Sequence, residues 1–403
     1  MRRVVVTGIG VISAIGRNRS EFEQSLREGR SGIGQFTNPA FSELRFQNAA
    51  EVLGFSPEEH FAPKDADMLD RFAQFAIVAA REAVAQSGIE WTPALKENTA
   101  IITGSCVGGK NTEDQGFWDV YKMGKPRVHP MTIPKTMANA GASAISLEFG
   151  ITGPAFTIST ACASSAHAIA QAFNMVRMGQ CEVALTGGSE APFSFGILKA
   201  WEAMRVVSPT VCRPFSKQRD GMTLGEGAAM FVIESLERAV ARGARPIAEI
   251  AGSGMSSDAH HITQPSPEGA AKAIRMALSD AGIEAERTGY VNAHGTGTTV
   301  NDPSETQALL LAFGDHARRF AVSSTKAMHG HTLGAAGAIE SAATILALST
   351  GVLPPTLNYI EADPLCGDLD FLPNHACKAD VEYAISNSFA FGGLNAVLAF
   401  RRL

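Results

Sequence analysis

The sequence predicts an α/β fold made of two similar halves, and three observations lead to this prediction. Short runs of Val, Ile and Ala alternate with alanine-rich helical stretches, which is typical of α/β proteins. The chain has 403 residues, 45% of them hydrophobic and only 18% charged, which is enough apolar material for more than one ordinary core. Strand-like segments of residues 1–240 also reappear, in the same order, in residues 241–403.

The predicted elements follow from these apolar runs. In the first half we predict strands at residues 4–7, 99–103, 156–159, 183–186 and 230–234. In the second half we predict strands at residues 247–251, 290–293, 320–323, 383–386 and 396–400. The alanine-rich stretches predict helices at residues 71–87, 163–178, 267–281, 303–313 and 333–348. No Pro-rich or low-complexity linker separates the halves.

Three pairs of segments support an internal duplication near residue 240. The matching pairs are residues 99–104 with 289–294, 156–160 with 320–324, and 182–185 with 382–385. Cys162 follows Ser159 by three residues, and Lys326 follows Ser323 by three residues. If the two copies are related by a pseudo-twofold axis, a nucleophile from one half and basic groups from the other meet in one crevice. The alternative is that buried strands resemble one another by composition alone.

Charge and cysteine content exclude several classes of protein. A formal net charge of -6 argues against a nucleic-acid binder, which usually carries a basic excess. The six cysteines lack Cys-x-x-Cys spacing, which argues against a zinc site or disulfide scaffold and predicts a reducing cytoplasm. Gly8 and Gly10 interrupt the apolar N-terminus, so we predict a strand and a glycine turn there, not a signal peptide. No apolar run reaches the length of about 18 residues that a membrane span needs.

Cys162 is the strongest candidate for a reactive residue. It lies in Phe156-Thr157-Ile158-Ser159-Thr160-Ala161-Cys162-Ala163-Ser164, where a predicted strand gives way to a helix. A thiol at a helix N-terminus lies near unpaired backbone N–H groups and the positive end of the helix dipole, which favour the thiolate. The alternative is a free cysteine that serves as a small buried hydrophobic residue.

Two further segments carry basic side chains. His294 ends a predicted strand before a Gly-rich loop, where open α/β sheets place reactive groups. The stretch from Lys326 to His331 precedes a helix whose only charge up to residue 348 is Glu340. A lone carboxylate on an apolar helix needs a cation, and Lys326 is the candidate. We predict no metal site, because no third ligand accompanies His329 and His331.

Together these segments resemble those of one enzyme family. The motifs are Thr160-Ala161-Cys162-Ala163-Ser164, Asn292-Ala293-His294-Gly295-Thr296-Gly297-Thr298, Lys326-Ala327-Met328-His329-Gly330-His331, Arg213-Pro214-Phe215 with Arg219-Asp220-Gly221, and Asn387-Ser388-Phe389-Ala390-Phe391-Gly392-Gly393. The chain resembles, over nearly its whole length, a β-ketoacyl-acyl-carrier-protein synthase of the I/II type, a thiolase-like condensing enzyme. This resemblance implies a five-layered α-β-α-β-α fold and a homodimer, with a heterodimer of related subunits as the alternative.

The resemblance also implies a decarboxylative Claisen condensation of an acyl-enzyme with malonyl-acyl-carrier protein. Cys162 is then the acylated nucleophile, and His294 and His331 promote loss of CO₂. His331 holds the family's position five residues after Lys326, whereas His329 occupies a variable one. No resident cofactor is implied, because the phosphopantetheine arm arrives on the carrier protein.

Supporting residues are implied in the same way. Lys326, paired with Glu340, orders the site, and Asp302 and Glu305 brace the first histidine motif. Phe389 corresponds to a phenylalanine that gates entry of the second substrate, and its backbone N–H joins that of Cys162 in an oxyanion hole.

The resemblance extends to the acyl pocket and the partner. Val107 holds the position that limits tunnel depth, against the alternative of ordinary core packing. Lys125, Arg127 and Arg205 match basic residues that dock an acidic carrier protein, against the alternative of a solvated surface. Residues 64–70 are more acidic than the family pattern, and Ala390 and Leu394 replace a frequent glycine and threonine. These departures favour a specialised pathway, such as polyketide, aryl polyene or nodulation-type lipid assembly, and housekeeping fatty acid synthesis is the alternative.

The sequence fits three other functions less well. A chain-length factor, which is a non-catalytic partner subunit, usually lacks the nucleophile that Cys162 supplies. A thiolase needs a second reactive cysteine near the C-terminus, and Cys366 and Cys377 lie in unsuitable contexts. A Cys/His hydrolase has no use for two histidines plus a lysine.

Overall fold

The structure, a computed structural model, describes residues 1–403 and contains one ten-stranded sheet. Its strands in the first half are β1 (Val4–Ser13), β2 (Thr99–Gly104), β3 (Ala155–Ile158), β4 (Val183–Glu190) and β5 (Gly227–Ser235). Those in the second half are β6 (Ala248–Ser257), β7 (Thr288–Asn292), β8 (Ala321–Ser323), β9 (Tyr383–Ala390) and β10 (Leu394–Arg401). All ten predicted strands are therefore present. Two small ribbons pair Gly34–Gln35 with Asn48–Ala49 and Val352–Leu353 with Cys377–Lys378.

The strand order repeats between the halves. Across the sheet it is β3-β2-β4-β5-β1 followed by β6-β10-β9-β7-β8, so each strand of one half has an equivalent in the other. The three matching segment pairs found in the sequence fall on β2 and β7, β3 and β8, and β4 and β9. Within the sheet, the halves join through β1 and β6, which pair antiparallel over three residues from Val4↔Ile250 to Val6↔Ala248. A duplicated unit produces this symmetric order.

The helices form three layers around the sheet. They are α1 (Arg19–Glu28), α2 (Pro63–Asp67), α3 (Arg71–Ser87), α4 (Pro93–Glu97), α5 (Lys110–Tyr121), α6 (Thr132–Thr136), α7 (Ala140–Phe149), α8 (Ser164–Arg177), α9 (Phe195–Met204), α10 (Leu236–Ala241), α11 (Pro267–Ala281), α12 (Asn301–Phe313), α13 (Lys326–His329) and α14 (Ala336–Thr350). Helices α3 and α7 cover the outer face of the first half, and α11, with α12 packed on it, covers that of the second. Helices α8 and α14 contact strands of both halves and form the central layer. The predicted five-layered α-β-α-β-α fold is confirmed.

The central layer is closely packed because small residues let backbones approach. A Cβ on Gly337 of α14 would lie 2.9 Å from the Ala166 backbone nitrogen of α8. By length and composition alone, Leu333–Thr350 is apolar enough to cross a membrane, contrary to the sequence expectation, but 89% of it is buried inside the protein. Its apolar character is therefore explained by its place between the two half-sheets.

Two local predictions need correction. Strand β1 does not turn at Gly8 and Gly10 but continues to Ser13. A Cβ at either glycine would lie 1.9 Å from a carbonyl oxygen of α3, so both glycines permit close packing of that helix on the strand. The helix predicted at residues 333–348 begins with a 3₁₀ turn, Leu333–Ala335, before α14.

Candidate active site

Cys162 lies in a tight turn between β3 and α8. The preceding residue, Ala161, has a φ of 49°, a left-handed backbone conformation that residues other than glycine rarely adopt. The turn places Cys162 at the wall of a cavity of about 350 Å³, with only 6% of the residue exposed. The strained backbone thus presents the sulfur to the cavity from a buried position.

The helix N-terminus favours the Cys162 thiolate, but burial of the side chain opposes its ionisation. Burial raises the pKa of Cys162 to about 12; the charge of Lys326 lowers it, while Glu340 and Glu190 raise it further. Desolvation therefore outweighs the nearby cation and the helix N-terminus.

His294 and His331 line the same cavity as Cys162. His294 follows the end of β7, and His331 follows α13, so both come from the second half. Their rings meet edge to face, with centroids 5.4 Å apart and planes at 85°. The sequence prediction that the two imidazoles converge with the sulfur agrees with this geometry.

Hydrogen bonds fix the tautomer of both imidazoles. The Lys326 Nζ lies 3.3 Å from His294 Nδ1, and an ammonium can only donate. The Leu333 backbone N–H donates to His331 Nδ1 at 3.3 Å. Burial is the main cause that lowers the pKa of both rings, and the charge of Lys326 lowers it further. Each ring is therefore neutral and carries its proton on Nε2.

Lys326 and Glu340 form an ion pair with no exposure to solvent. The Lys326 Nζ also donates to the His294 carbonyl oxygen at 2.6 Å, so the ammonium holds both the backbone and the ring of this histidine. Burial raises the pKa of Glu340 to about 7, and the Lys326 charge opposes the rise. The pairing predicted from the lone carboxylate is present.

Two further buried carboxylates hold the loop that carries His294. Glu305 accepts the backbone N–H groups of His294 at 2.8 Å and of Gly295 at 2.7 Å. Asp302 accepts the N–H of Phe215 at 2.7 Å and that of Gly297 at 3.2 Å, and burial raises its pKa to about 6. Both therefore have the bracing contacts that the resemblance implies.

His329 has a different environment from His331. It is fully buried outside the cavity lining, with Nδ1 2.9 Å from the Gly330 carbonyl and Nε2 3.0 Å from Thr325 Oγ1. Burial lowers its pKa to about 3. Both ring nitrogens are occupied within the core, so His329 has no free atom for a substrate.

The two phenylalanines of the last motif lie in different backbone settings. Phe389 is buried within β9 opposite Asn395, with its ring 6.2 Å from that of His294. Phe391 lies in the turn after β9, stacks on Trp201 at 6.3 Å, and lines the same cavity. Gly392 and Gly393 adopt positive φ in this turn. Sequence reasoning missed Phe391, although its place before two glycines was the available signal.

Of the remaining predicted residues, only Arg205 lines the cavity. Val107 is half-buried after β2 and packs on the central core, but does not line the cavity. Arg205 is exposed and lines the cavity, at the C-terminal end of α9. Lys125 and Arg127 are exposed away from it, and Lys125 pairs with Asp119 at 2.8 Å. No group of three or more His, Cys, Asp or Glu side chains is placed to hold a metal ion.

Comparison with known proteins decides the family. The family model described as "Beta-ketoacyl synthase, N-terminal domain" matches residues 1–239, and "Beta-ketoacyl synthase, C-terminal domain" matches residues 247–360. The chain belongs to the β-ketoacyl synthase family. It is 46% identical to nodulation protein E of Rhizobium sp. (strain N33) over 404 residues, covering 100% of both chains. It is 40% identical to 3-oxoacyl-[acyl-carrier-protein] synthase 2 of Staphylococcus aureus (strain COL), covering 100% of this chain and 98% of that protein.

Solved structures of β-ketoacyl synthases give the same assignment. The ishigamide ketosynthase/chain length factor matches with a TM-score of 0.94 and 38% identity, covering 100% of this chain and 99% of that one. A type II PKS acyl-carrier protein in complex with its ketosynthase matches with a TM-score of 0.90 and 29% identity, covering 100% of both chains. The chain is therefore a condensing enzyme of the acyltransferase class.

Proposed function

We propose that this β-ketoacyl synthase condenses an acyl group held on Cys162 with malonyl-acyl-carrier protein and releases a 3-oxoacyl-acyl-carrier protein. One observation carries the proposal. A single cavity is lined by a thiol from the first half and by two neutral imidazoles from the second, each with a free Nε2–H.

In the first half-reaction, the Cys162 sulfur attacks the thioester of the acyl-carrier protein. The thioester carbonyl becomes a tetrahedral oxyanion, for which backbone N–H groups are suitable donors. The carbon–sulfur bond to the pantetheine arm then breaks, and the proton lost by Cys162 ends on the departing pantetheine sulfur. The oxyanion hole formed by the N–H groups of Cys162 and Phe389 stays a prediction.

In the second half-reaction, malonyl-carrier protein enters and loses CO₂. The electron pair of the broken carbon–carbon bond becomes an enolate, with its charge on the thioester oxygen. His294 and His331 stabilise that oxygen because both donate from Nε2 and neither is charged beforehand. The enolate carbon attacks the acyl carbonyl on Cys162, the carbon–sulfur bond breaks, and the released Cys162 thiolate takes a proton from solvent water. Loss of CO₂ drives the step, so the proposed reaction needs no resident metal or redox cofactor.

Phe391 is a better candidate for the gate than Phe389. A gate must swing between rotamers, and Phe389 is held in a strand, whereas Phe391 lies in a glycine turn at the cavity wall. We therefore move the proposed gate from Phe389 to Phe391 and keep Phe389 as part of the wall beside His294. Val107 remains the proposed limit of the acyl pocket.

The proposed partner is an acidic acyl-carrier protein that docks at the cavity mouth. Arg205 is the predicted docking residue with the most direct support, since it is exposed and lines the cavity. In the acidic segment before α3, the Asp67 carboxylate lies 3.1 Å from His129 Nε2. The Lys135 ammonium donates to the backbone carbonyl oxygen of Asp67 at 2.8 Å. This segment is therefore already engaged by basic residues of the same chain, which favours a dedicated carrier protein and a specialised pathway.

We also propose that the chain works as a dimer. The α5 side chains Phe117, Trp118 and Tyr121 are each more than half exposed, and only Gly116 of that helix is buried. Strand β3 lies at the edge of the sheet, with Phe156 38% exposed. A second copy that covers these apolar side chains gives a homodimer; a related subunit gives a heterodimer. All six cysteines are free, consistent with the proposed cytoplasmic location.

The second candidate function is that of a non-catalytic chain-length factor. It is raised by the ketosynthase/chain length factor among the structural relatives. The cavity with Cys162, His294 and His331 favours the catalytic function. A thiolase mechanism has less support, because neither Cys366 nor Cys377 lines the cavity.

One experiment tests the proposal. The purified chain, without any partner subunit, is mixed with acyl- and malonyl-carrier protein, and products are followed by mass spectrometry. We expect equal amounts of CO₂ and of a 3-oxoacyl product two carbons longer than the acyl donor. The chain-length-factor function would be supported instead if the isolated chain gave no condensation and a related subunit that carries its own nucleophile restored it.

A further inference from the structure

Glu190 is a buried carboxylate with no role in the reaction as described so far. It is the last residue of β4 and has no exposed surface. Its neighbours are the loop after β2, which carries Val107, and the turn before α14, which follows His331. It therefore lies where the two halves meet, behind the wall of the active site.

Four donors surround the Glu190 carboxylate, two on each oxygen. The Ser105 hydroxyl and the Val107 N–H donate to Oε1 at 2.9 and 3.3 Å. The backbone N–H groups of Cys106 and Gly334 donate to Oε2 at 2.8 and 3.0 Å. A carboxylate accepts hydrogen bonds at both oxygens, so four donors suit an ionised Glu190. A neutral amide of the same shape could accept at only one of the two positions.

The contact with Gly334 leads directly to His331. Leu333, which precedes Gly334, has a φ of 48°, a conformation that is strained for leucine. The N–H of this same Leu333 donates to His331 Nδ1 and so keeps the proton of His331 on Nε2. The strained turn at Leu333 needs stabilising contacts from outside the turn, and the hydrogen bond from the Gly334 N–H to Glu190 Oε2 is one.

The close approach at Gly334 supports the same link. A Cβ at this position would lie 2.5 Å from Glu190 Oε2 and 2.4 Å from the Cys106 nitrogen. Only glycine lets the turn approach the carboxylate this closely.

We propose that Glu190 is a positioning residue for the malonyl half-reaction: through Gly334 it holds the Leu333 turn, which keeps His331 in the tautomer that donates from Nε2. The inference rests on the proposed function, because it assigns the decarboxylation step to His331. It adds a residue from the first half to the machinery of the second.

The test separates the two half-reactions in the full-length protein carrying Glu190→Gln. The amide replaces one carboxylate oxygen with an NH₂ group, which cannot accept, so the two hydrogen bonds donated to that position are lost. We expect CO₂ release from malonyl-carrier protein to fall about tenfold or more, while acylation of Cys162, followed by intact mass, changes less than about threefold. Nitrogen NMR of ¹⁵N-histidine-labelled protein should show the His331 ring shift from one tautomer to a mixture.

The matched control is Glu234→Gln. Glu234 is equally buried and belongs to β5. It lies opposite Val183, at the other end of β4 from Glu190, and its carboxylate pairs with Arg242. Its replacement should lower stability without changing the ratio of the two half-reactions or the His331 tautomer. If Glu190→Gln does not fold, Gly334→Ala serves instead, because its Cβ displaces the turn from the carboxylate.

The outcomes distinguish this inference from the proposed function. If the unaltered protein releases no CO₂ from malonyl-carrier protein, the proposed function fails. If it does so and Glu190→Gln or Gly334→Ala keeps both the wild-type CO₂ release and the His331 tautomer, only the inference about Glu190 is overturned. A parallel loss of both half-reactions with an unchanged tautomer would also overturn it, because that is the result of a merely structural role.

Discussion

Replacing Lys326 by methionine should cost stability in a way that depends on pH. Lys326 and Glu340 have no exposed surface; the ammonium binds Glu340 Oε1, and Glu340 Oε2 has no hydrogen-bond partner. Removing one member of a buried pair leaves the other charge uncompensated, which costs about 3–5 kcal/mol of unfolding free energy. Glu340 then takes up a proton, because its pKa is already about 7 with the cation present.

The sign of the pH effect follows from that uptake. In Lys326→Met, the pKa of Glu340 in the folded state rises further above its value in the unfolded chain. The folded state then holds a proton that the unfolded state has released, so stability falls as the pH rises. Between pH 8 and pH 9, where the wild-type Glu340 is mostly deprotonated, we expect the variant to lose up to about 1.4 kcal/mol per pH unit relative to the wild type.

A double variant separates stability from catalysis. Lys326→Met combined with Glu340→Leu removes both charges, and apolar replacement of a buried pair is often neutral or stabilising. We expect it to recover most of the stability and to lose the extra pH dependence. Decarboxylation should stay at least about tenfold below wild type in both variants, because His294 Nδ1 has lost its ammonium donor.

The assay is equilibrium urea unfolding followed by tryptophan fluorescence at pH 7, 8 and 9, beside CO₂ release from malonyl-carrier protein. Two results would refute the reasoning. One is a single variant as stable as the double variant at every pH. The other is a double variant that decarboxylates malonyl-carrier protein at the wild-type rate.

Three further predictions concern the acyl half of the reaction. Cys162→Ala should abolish condensation yet still release CO₂ from malonyl-carrier protein, and full condensing activity in that variant would refute the nucleophile. Alkylation of Cys162 by iodoacetamide should rise about tenfold per pH unit up to about pH 10, because its pKa is about 12; a plateau near pH 9, as for glutathione, would contradict this. Val107→Phe should shorten the acyl chains accepted, measured as the product distribution from a mixed set of acyl-carrier proteins, and an unchanged profile would count against the tunnel.

Much of the fold could be predicted from the sequence because buried strands and small-residue helices leave strong local patterns. All ten strands of the sheet were located, and the matching segments fell on equivalent strands. The turn expected at Gly8 and Gly10 was wrong because glycine has two uses, and only the position of α3 shows that here it permits close packing. Local sequence does not specify which distant helix approaches a glycine.

The site divides in the same way. Cys162, His294, Lys326 and His331 could be found from motifs because the chemistry needs those residue types at those spacings. The raised pKa of Cys162 could not be predicted, because desolvation by the surrounding protein outweighs the charge of Lys326 and the helix N-terminus, which are the features visible in the sequence. Glu190 gave no signal, since its role depends on contacts with residues 84 and 144 positions away.

The most direct test of the account compares the two half-reactions in His294→Ala and His331→Ala. Each variant loses one Nε2–H donor, which should lower the rate of CO₂ release about 10²–10³-fold, equivalent to about 3–4 kcal/mol. Acylation of Cys162 by acyl-carrier protein should remain within about threefold of wild type. Unchanged CO₂ release together with a collapse of acylation would contradict the division of labour between the thiol of one half and the imidazoles of the other.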